Sequence, residues 1–192
     1  VCTVRLMASP ASRPAIYTRT GDDGSTGLFY GGRVRKDDPA PVAYGDVDEA
    51  QAIIGVARAA TADGDPRLND ILVQVARDLY VLMAELATAA ENRHKLDAGS
   101  TLVSAPMVGN LETLIDEVAS RFEPPSHFVV PGEDLGAAHL DVARTVVRRA
   151  ERHALATAAP DSFVVQYLNR LSDLLWTLAR WREGASRPAK TN

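Results

Sequence analysis

The sequence predicts an all-α fold, an up-and-down bundle of five helices preceded by a glycine-rich loop. Two observations carry that expectation. From Gly45 onward apolar residues recur at spacings of three and four, the period that lines one face of a helix, while the alternation of a half-buried strand is scarce. Proline and glycine clusters cut this pattern into five segments, each with one apolar stripe, and helices of that kind joined by short loops bury their stripes against one another. Before Gly45 the helical period is absent and Gly21, Gly24, Gly27, Gly31 and Gly32 crowd the chain, so that stretch reads as an ordered loop or a tail.

Asp46 followed by Glu49 has the form of a helix N-cap with its capping-box partner, and Ala50, Ile53, Ile54 and Ala57 supply the stripe of a first helix ending near Ala60. Gly64-Asp65-Pro66 breaks it. A second helix carries Pro66 in its first turn and runs through Leu68, Ile71, Leu72, Val75, Leu79, Leu82, Met83 and Leu86 to the neighbourhood of Ala90. After a polar segment, Val108, Leu111, Leu114, Ile115 and Val118 mark a third helix, bounded by Ala105-Pro106 and by Phe122-Glu123-Pro124-Pro125. The double proline enforces an extended connection. Phe128-Val129-Val130-Pro131-Gly132 reads as a short apolar turn before a fourth helix from Glu133 to the region of Ala156. The fifth follows Pro160-Asp161 and carries Val164, Val165, Leu168, Leu171, Leu174, Leu175 and Leu178. The expected organisation is a disordered tail over 1–15, one domain over 16–183 with its loop at 16–44 and its helices at 45–183, and a disordered tail over 184–192.

The 192 residues, 46% of them hydrophobic, suit a single domain with a sizeable core. Lys and Arg total 21 against 25 Asp and Glu, a net charge of −4, so no global positive field exists to hold nucleic acid or an anionic membrane. The one cysteine, Cys2, forms no intrachain disulfide, which excludes a disulfide-built secreted fold. No apolar run approaches the roughly 18 residues that span a bilayer. The opening Val1–Ser9 lacks the apolar stretch of a signal sequence. The chain is expected to be cytoplasmic.

Three stretches could carry chemistry. In Thr18–Asp38, glycines let the backbone approach a ligand with N–H groups exposed, hydroxyls add donors and Lys36 adds charge, the elements of a phosphate cradle. A hairpin-rich tail has the same composition, and the stretch matches neither a Walker A loop nor a dinucleotide fingerprint. On the fourth helix Arg144, Arg148 and Glu151 fall on one face, which suits either a bound anion or a solvated stripe. On the fifth, Asn169 and Asp173 stand one turn apart among apolar neighbours, either presented to a pocket or lying at the surface. The acidic Asp46-Val47-Asp48-Glu49 suits a helix start by itself, and a carboxylate there could also hold a fourth-helix arginine in a bidentate pair. Glu91-Asn92-Arg93-His94 is half of what a di-iron bundle needs and occurs once. The histidines His94, His127, His139 and His153 show no zinc-hydrolase spacing, and no protein-bound metal is expected.

Taken in order, Thr18-Arg19-Thr20-Gly21-Asp22, Lys36-Asp37-Asp38, Tyr44-Gly45 with Val47-Asp48-Glu49, Arg144-Thr145 with Arg148-Arg149-Ala150-Glu151-Arg152, and Tyr167-Leu168-Asn169-Arg170-Leu171-Ser172-Asp173 resemble the PduO-type ATP:cob(I)alamin adenosyltransferases over about residues 16–182. The resemblance implies a homotrimer with active sites between subunits, in which the 5′-deoxyadenosyl group of ATP passes to the cobalt of reduced cobalamin and triphosphate leaves. It implies that Thr18, Arg19, Thr20, Gly21, Thr26 and Lys36 order over ATP from one subunit. Arg148, Arg149, Ala150, Glu151, Arg152 and Asn169 then hold ATP from its neighbour. Asp48 and Arg144 would form an intersubunit salt bridge. Phe128, sixteen residues before that arginine, would press on the lower face of cobalamin and displace its axial base. Mg²⁺ accompanies ATP, and a flavoprotein reductase and an adenosylcobalamin-dependent mutase are the implied partners. The sequence departs from the family pattern at Tyr30 and Glu133, where glycine is common, and at Ala50-Gln51, where Leu-Asn is usual. A non-catalytic helical carrier or regulator that binds a nucleotide or cobalamin is the alternative.

Overall fold

Three of the five helices carry a proline at their first or second residue, where its fixed φ suits the first turn and its missing N–H would have found no partner. In the computed structural model, which describes residue 17 and residues 19–190, these are α1 (Pro39–Ala60), α2 (Pro66–Leu86) and α3 (Ala105–Ala119). Asp65 caps α2 by accepting from the Arg67 N–H at 2.8 Å. Asp134 caps α4 (Leu135–Ala154) by accepting from the Ala137 N–H at 2.9 Å. The fifth helix, α5 (Val164–Glu183), ends at Gly184, whose φ of 71° is in the left-handed region. The all-α bundle stands as predicted.

α4 lies along both α1 and α5, α3 packs on α5, and α2 packs on α1. Where α1 packs on α4, alanines are frequent among the buried residues, Ala43, Ala50 and Ala57 on α1 and Ala143, Ala150 and Ala154 on α4, all inaccessible to solvent. Elsewhere the core is leucine-rich, with Leu72, Leu79, Leu111, Leu140, Leu168, Leu171 and Leu175 inaccessible to solvent. The stripes read from the sequence face this core, except that Leu135 and Val142, expected on the α4 stripe, are exposed.

The boundaries differ in three places. α1 starts at Pro39, seven residues before Asp46, because Pro41, Ala43 and Val47 continue the buried stripe backward and Gly45 sits on the open face without breaking it. Asp46 is therefore a mid-helix residue and not a cap. α2 ends at Leu86, and the carbonyl of Ala87 accepts from the Phe29 N–H at 2.8 Å. A short 3-10 helix, Ala90–Lys95, follows. The expectation of a disordered 184–192 is overturned for residues 184–190. There β4 (Arg187–Pro188) pairs antiparallel with β3 (Val129–Val130), the Ala189 N–H donates to the Phe128 carbonyl at 2.7 Å, and Arg187 bridges to Glu133 at 2.5 Å. A second small sheet pairs β1 (Ser25–Gly27) with β2 (Arg33–Arg35), in register Thr26 to Val34. Strands of two or three residues leave no period to read, and the β3–β4 pairing also joins segments distant in sequence. The tail expected over 1–15 lies outside the described residues.

Candidate active site

The charges on α4 sort into two groups. Arg149 is turned to α1: its Nε lies 3.0 Å from Asp46 Oδ1, and its guanidinium also pairs with Glu49. His153, one turn on, places Nδ1 2.6 Å from the other Asp46 oxygen. The Asp46–Glu49 carboxylates thus hold a fourth-helix arginine, as the sequence allowed. Arg148 and Arg152 precede these residues by one position each and point to solvent. Arg148 has no carboxylate partner among the described residues, and Arg152 donates only to the Arg148 carbonyl at 2.8 Å. Like charges one turn apart on a helix are destabilising without a counter-ion. This pair is exposed and without a carboxylate counter-ion among the described residues. Ala150, expected beside the ligand, is fully buried in the α1–α4 seam and contributes packing instead.

Beside the free arginines, Glu151 accepts from Asn169 Nδ2 at 3.0 Å, Asn169 Oδ1 accepts from Arg170 at 2.7 Å, and Arg170 Nε reaches Glu112 of α3 at 2.9 Å. This polar chain joins α4, α5 and α3, and its first members line an open cavity of about 530 Å³ with Leu155, Ser162 and Gln166. Asp173 stays exposed, 3.9 Å from Arg170.

The glycine-rich loop is ordered by its own hairpin. Ser25 donates to Asp23 through both N–H and hydroxyl, at 2.9 and 2.7 Å, and Arg33 reaches across to the Ser25 hydroxyl and the Thr20 carbonyl. At Gly21 a side chain would not fit, since a Cβ would stand 2.9 Å from the Ser25 carbonyl and 3.2 Å from Lys36 Nζ. The absence of that atom lets the Lys36 ammonium lie against bare backbone. Lys36 has no carboxylate partner among the described residues. Thr26 is half-buried in β1, and Arg19, with a left-handed φ of 59°, stacks its guanidinium 5.3 Å from the Tyr17 ring centroid. Thr18 lies outside the described residues. Tyr30 also takes a left-handed φ, 63°, at one of the positions that depart from the family's glycine. Within the chain no hydrogen bond or ion pair links Lys36 to Arg148, Glu151 or Asn169 among the described residues.

Phe128 is 91% exposed at the mouth of a cavity of about 540 Å³ that it shares with Pro125, His127, Arg144, Trp176 and Arg180. A ring so placed leaves its apolar face open at the cavity mouth. Its backbone is anchored by the β3–β4 pairing. Behind the cavity, Asp141 accepts from Arg180 at 2.6 Å and from Arg144 Nε at 3.2 Å, while Arg180 Nε also lies 2.7 Å from Glu183. Asp48 is exposed and makes no ion pair among the described residues, so the expected Asp48–Arg144 contact is absent within one chain.

The sequence reading missed the buried part of this frame. Asp141 interrupts an otherwise apolar stripe between Leu140 and Ala143, a signal that a cation must meet it inside. Glu85, 3% exposed, accepts from the Ser162 hydroxyl at 2.6 Å, the Val103 N–H at 2.8 Å and Arg93 at 3.1 Å. Tyr167 donates to Asp78 at 2.9 Å, and burial pushes both the phenol and the Asp78 carboxyl up. His94 of the E-x-x-H segment merely meets the Glu91 carbonyl at 2.9 Å, and among the described residues no cluster of three or more His, Cys, Asp or Glu could hold a metal ion.

The model of the cobalamin adenosyltransferase family matches residues 16–182. The chain belongs to that family. A corrinoid adenosyltransferase of Mycobacterium tuberculosis is 42% identical over 188 residues, covering 91% of this chain and 96% of that protein. The corrinoid adenosyltransferase PduO of Salmonella typhimurium is 39% identical over 169 residues, 86% of this chain and 49% of that protein. Among solved structures, a PduO-type ATP:corrinoid adenosyltransferase from Lactobacillus reuteri, a phenylalanine-to-alanine variant complexed with cobalamin and ATP, superposes with a TM-score of 0.80. Its identity is 28%, over 92% of this chain and 100% of that one. An arginine-to-lysine variant of the same enzyme complexed with ATP gives 0.79 at 28% identity, over 91% and 100%. The family's fold is the one described here, and no helix among the described residues is long and apolar enough to cross a membrane.

Proposed function

We propose that the chain transfers the 5′-deoxyadenosyl group of ATP to the cobalt of reduced cobalamin and releases triphosphate. The observation that carries the residue assignment is the exposed, uncompensated Arg148–Arg152 pair on a helix whose neighbouring Arg149 and Arg144 are both engaged by carboxylates. Cobalt(I) is itself the nucleophile toward the 5′-carbon, so the protein needs no nucleophile or general base. It must hold the reactants in line and neutralise a highly charged leaving group. Arg148 and Arg152 meet the triphosphate, Glu151 and Asn169 hold the nucleoside end, and the Thr18–Gly21 loop, Thr26 and Lys36 close over it from a neighbouring copy. The second copy belongs to this reading, as the family resemblance implies.

Phe128 faces the corrin and excludes its lower axial ligand. Its assignment is supported by spacing: the phenylalanine and the arginine varied in the Lactobacillus reuteri enzyme are twenty residues apart, as are Phe128 and Arg148. Asp48 and Arg144 join adjacent copies in a homotrimer. ATP brings Mg²⁺ as its counter-ion; the described residues offer no donor set for a resident metal, and no step depends on one. The enzyme works in the cytoplasm, fed by a flavoprotein reductase and supplying an adenosylcobalamin-dependent mutase.

The test is to mix the purified chain with Mg-ATP and anaerobically reduced cobalamin and follow the corrin absorption spectrum. Conversion to adenosylcobalamin that disappears in Arg148→Ala supports the reading. Phe128→Ala should keep ATP affinity and lose formation of the four-coordinate cobalt(II) state, and unchanged turnover would remove it from the mechanism. ATP binding without conversion would favour a carrier.

A further inference from the structure

Asp46 sits in the middle of α1 with a carboxylate only 13% exposed, and both its oxygens are spent on α4. Oδ1 meets Arg149 Nε at 3.0 Å, and Oδ2 meets His153 Nδ1 at 2.6 Å. Residues 149 and 153 are one turn apart on the same face of α4, and Glu49, one turn along α1, takes Arg149 as well. The buried residues of the two helices are otherwise apolar, alanines at 43, 50 and 57 of α1 and at 143, 150 and 154 of α4 alongside Val47, Ile54, Val146 and Val147. Apolar packing alone specifies roll and register weakly, and a polar contact between the helices is a device that specifies them.

We infer that Asp46 is a positioning residue for ATP. By gripping Arg149 and His153 it fixes the roll of the C-terminal half of α4, so that Arg148 and Arg152, each one residue before a gripped side chain, face the triphosphate together. Charge gives the same division of labour. Arg148, Arg149, Arg152 and His153 crowd four basic side chains into six residues, and Asp46 with Glu49 engages the two that reach α1, leaving Arg148 and Arg152 for the ligand. The inference rests on the proposed role of Arg148.

It is tested on the full chain by calorimetric titration with Mg-ATP and by steady-state kinetics varying ATP and cobalamin separately, for Asp46→Asn, His153→Gln, the double variant and Arg148→Ala. Asp46→Asn should weaken ATP binding roughly three- to tenfold, leave kcat at saturating ATP within about twofold, and leave the KM for cobalamin unchanged. The double variant should be little worse than Asp46→Asn, since both remove one contact. His153 is 44% exposed, so His153→Gln keeps the test alive if Asp46→Asn folds poorly, with an expected loss of about twofold in ATP affinity. Unchanged ATP affinity in both single variants, or parallel losses for ATP and cobalamin, overturns the inference. The two levels separate through Arg148→Ala. If that variant binds ATP normally, the underlying site assignment fails; if it loses ATP while Asp46→Asn does not, only the positioning role fails.

Discussion

At Gly136 the space for a side chain is already taken. A Cβ there would come within 2.2 Å of Thr61 Cγ2 and 3.1 Å of Asp134 Oδ1, where the first turn of α4 crosses the end of α1. Thr61 cannot move freely, because its hydroxyl is bonded to the Ala57 carbonyl at 2.9 Å. Gly136→Ala should therefore destabilise the fold by about 1–3 kcal/mol despite its better helix propensity, as overpacked sites do. A thermal melt reads this directly, and a Tm at or above the parent's would show that α4 can shift there without cost. Alanine at a helical glycine normally stabilises; here tertiary contact reverses the sign.

Between elements, α2 and α3 are tied by Arg67, which meets Glu117 through Nε at 2.9 Å and through its second terminal nitrogen at 2.5 Å, with Arg121 adding a contact at 2.7 Å. Arg67 first and Arg121 second hold the Glu117 carboxyl down to about 2 from its ordinary 4.5. A carboxylate with a lowered folded pKa stabilises the native state above its unfolded value, and that contribution drains as pH falls from about 4.5 toward about 2. The group is nearly a third exposed, so solvent screening keeps the gain at about 0.5–1 kcal/mol. Glu117→Gln should be less stable than the parent by that amount at pH 7, and denaturation curves at decreasing pH should converge. A gap that persists at pH 2 would assign the loss to packing and not to charge.

For the molecule as a whole, the proposed division of the site between copies is the consequential point. In that reading each interface draws its loop from one chain and its helix face from the next. Two inactive variants, Lys36→Ala and Arg148→Ala, should therefore regain activity when unfolded together and refolded as mixed assemblies, with roughly a quarter of the sites carrying both intact halves. Mixtures of separately folded variants should stay inactive until subunits exchange. No recovery after co-refolding would place the whole site within one chain.

The legibility of the chain divides along the range of the forces involved. Helical periodicity is local, so α1 to α5 were visible from spacing alone, as was a link between the α1 carboxylates and an α4 arginine, because the residue types and their helical faces were both written in the sequence. Candidate site residues were legible as a family pattern, and of these Glu151 and Asn169 line one cavity while Phe128 stands at the mouth of another. Long-range pairing decided the rest. The start of α1 at Pro39 is set by the burial of Ala43 and Val47, the order of residues 184–190 by a two-residue strand that needs Val129 and Val130, and the fate of Asp46 by the side chains that α4 brings to it. The sequence alone determined which segments become helices and which faces are apolar, since both follow from neighbours three and four residues away. Only the tertiary structure decided which cations are spent on the fold and which stay free for a ligand, because a charge's partner is chosen by distance in space and not along the chain.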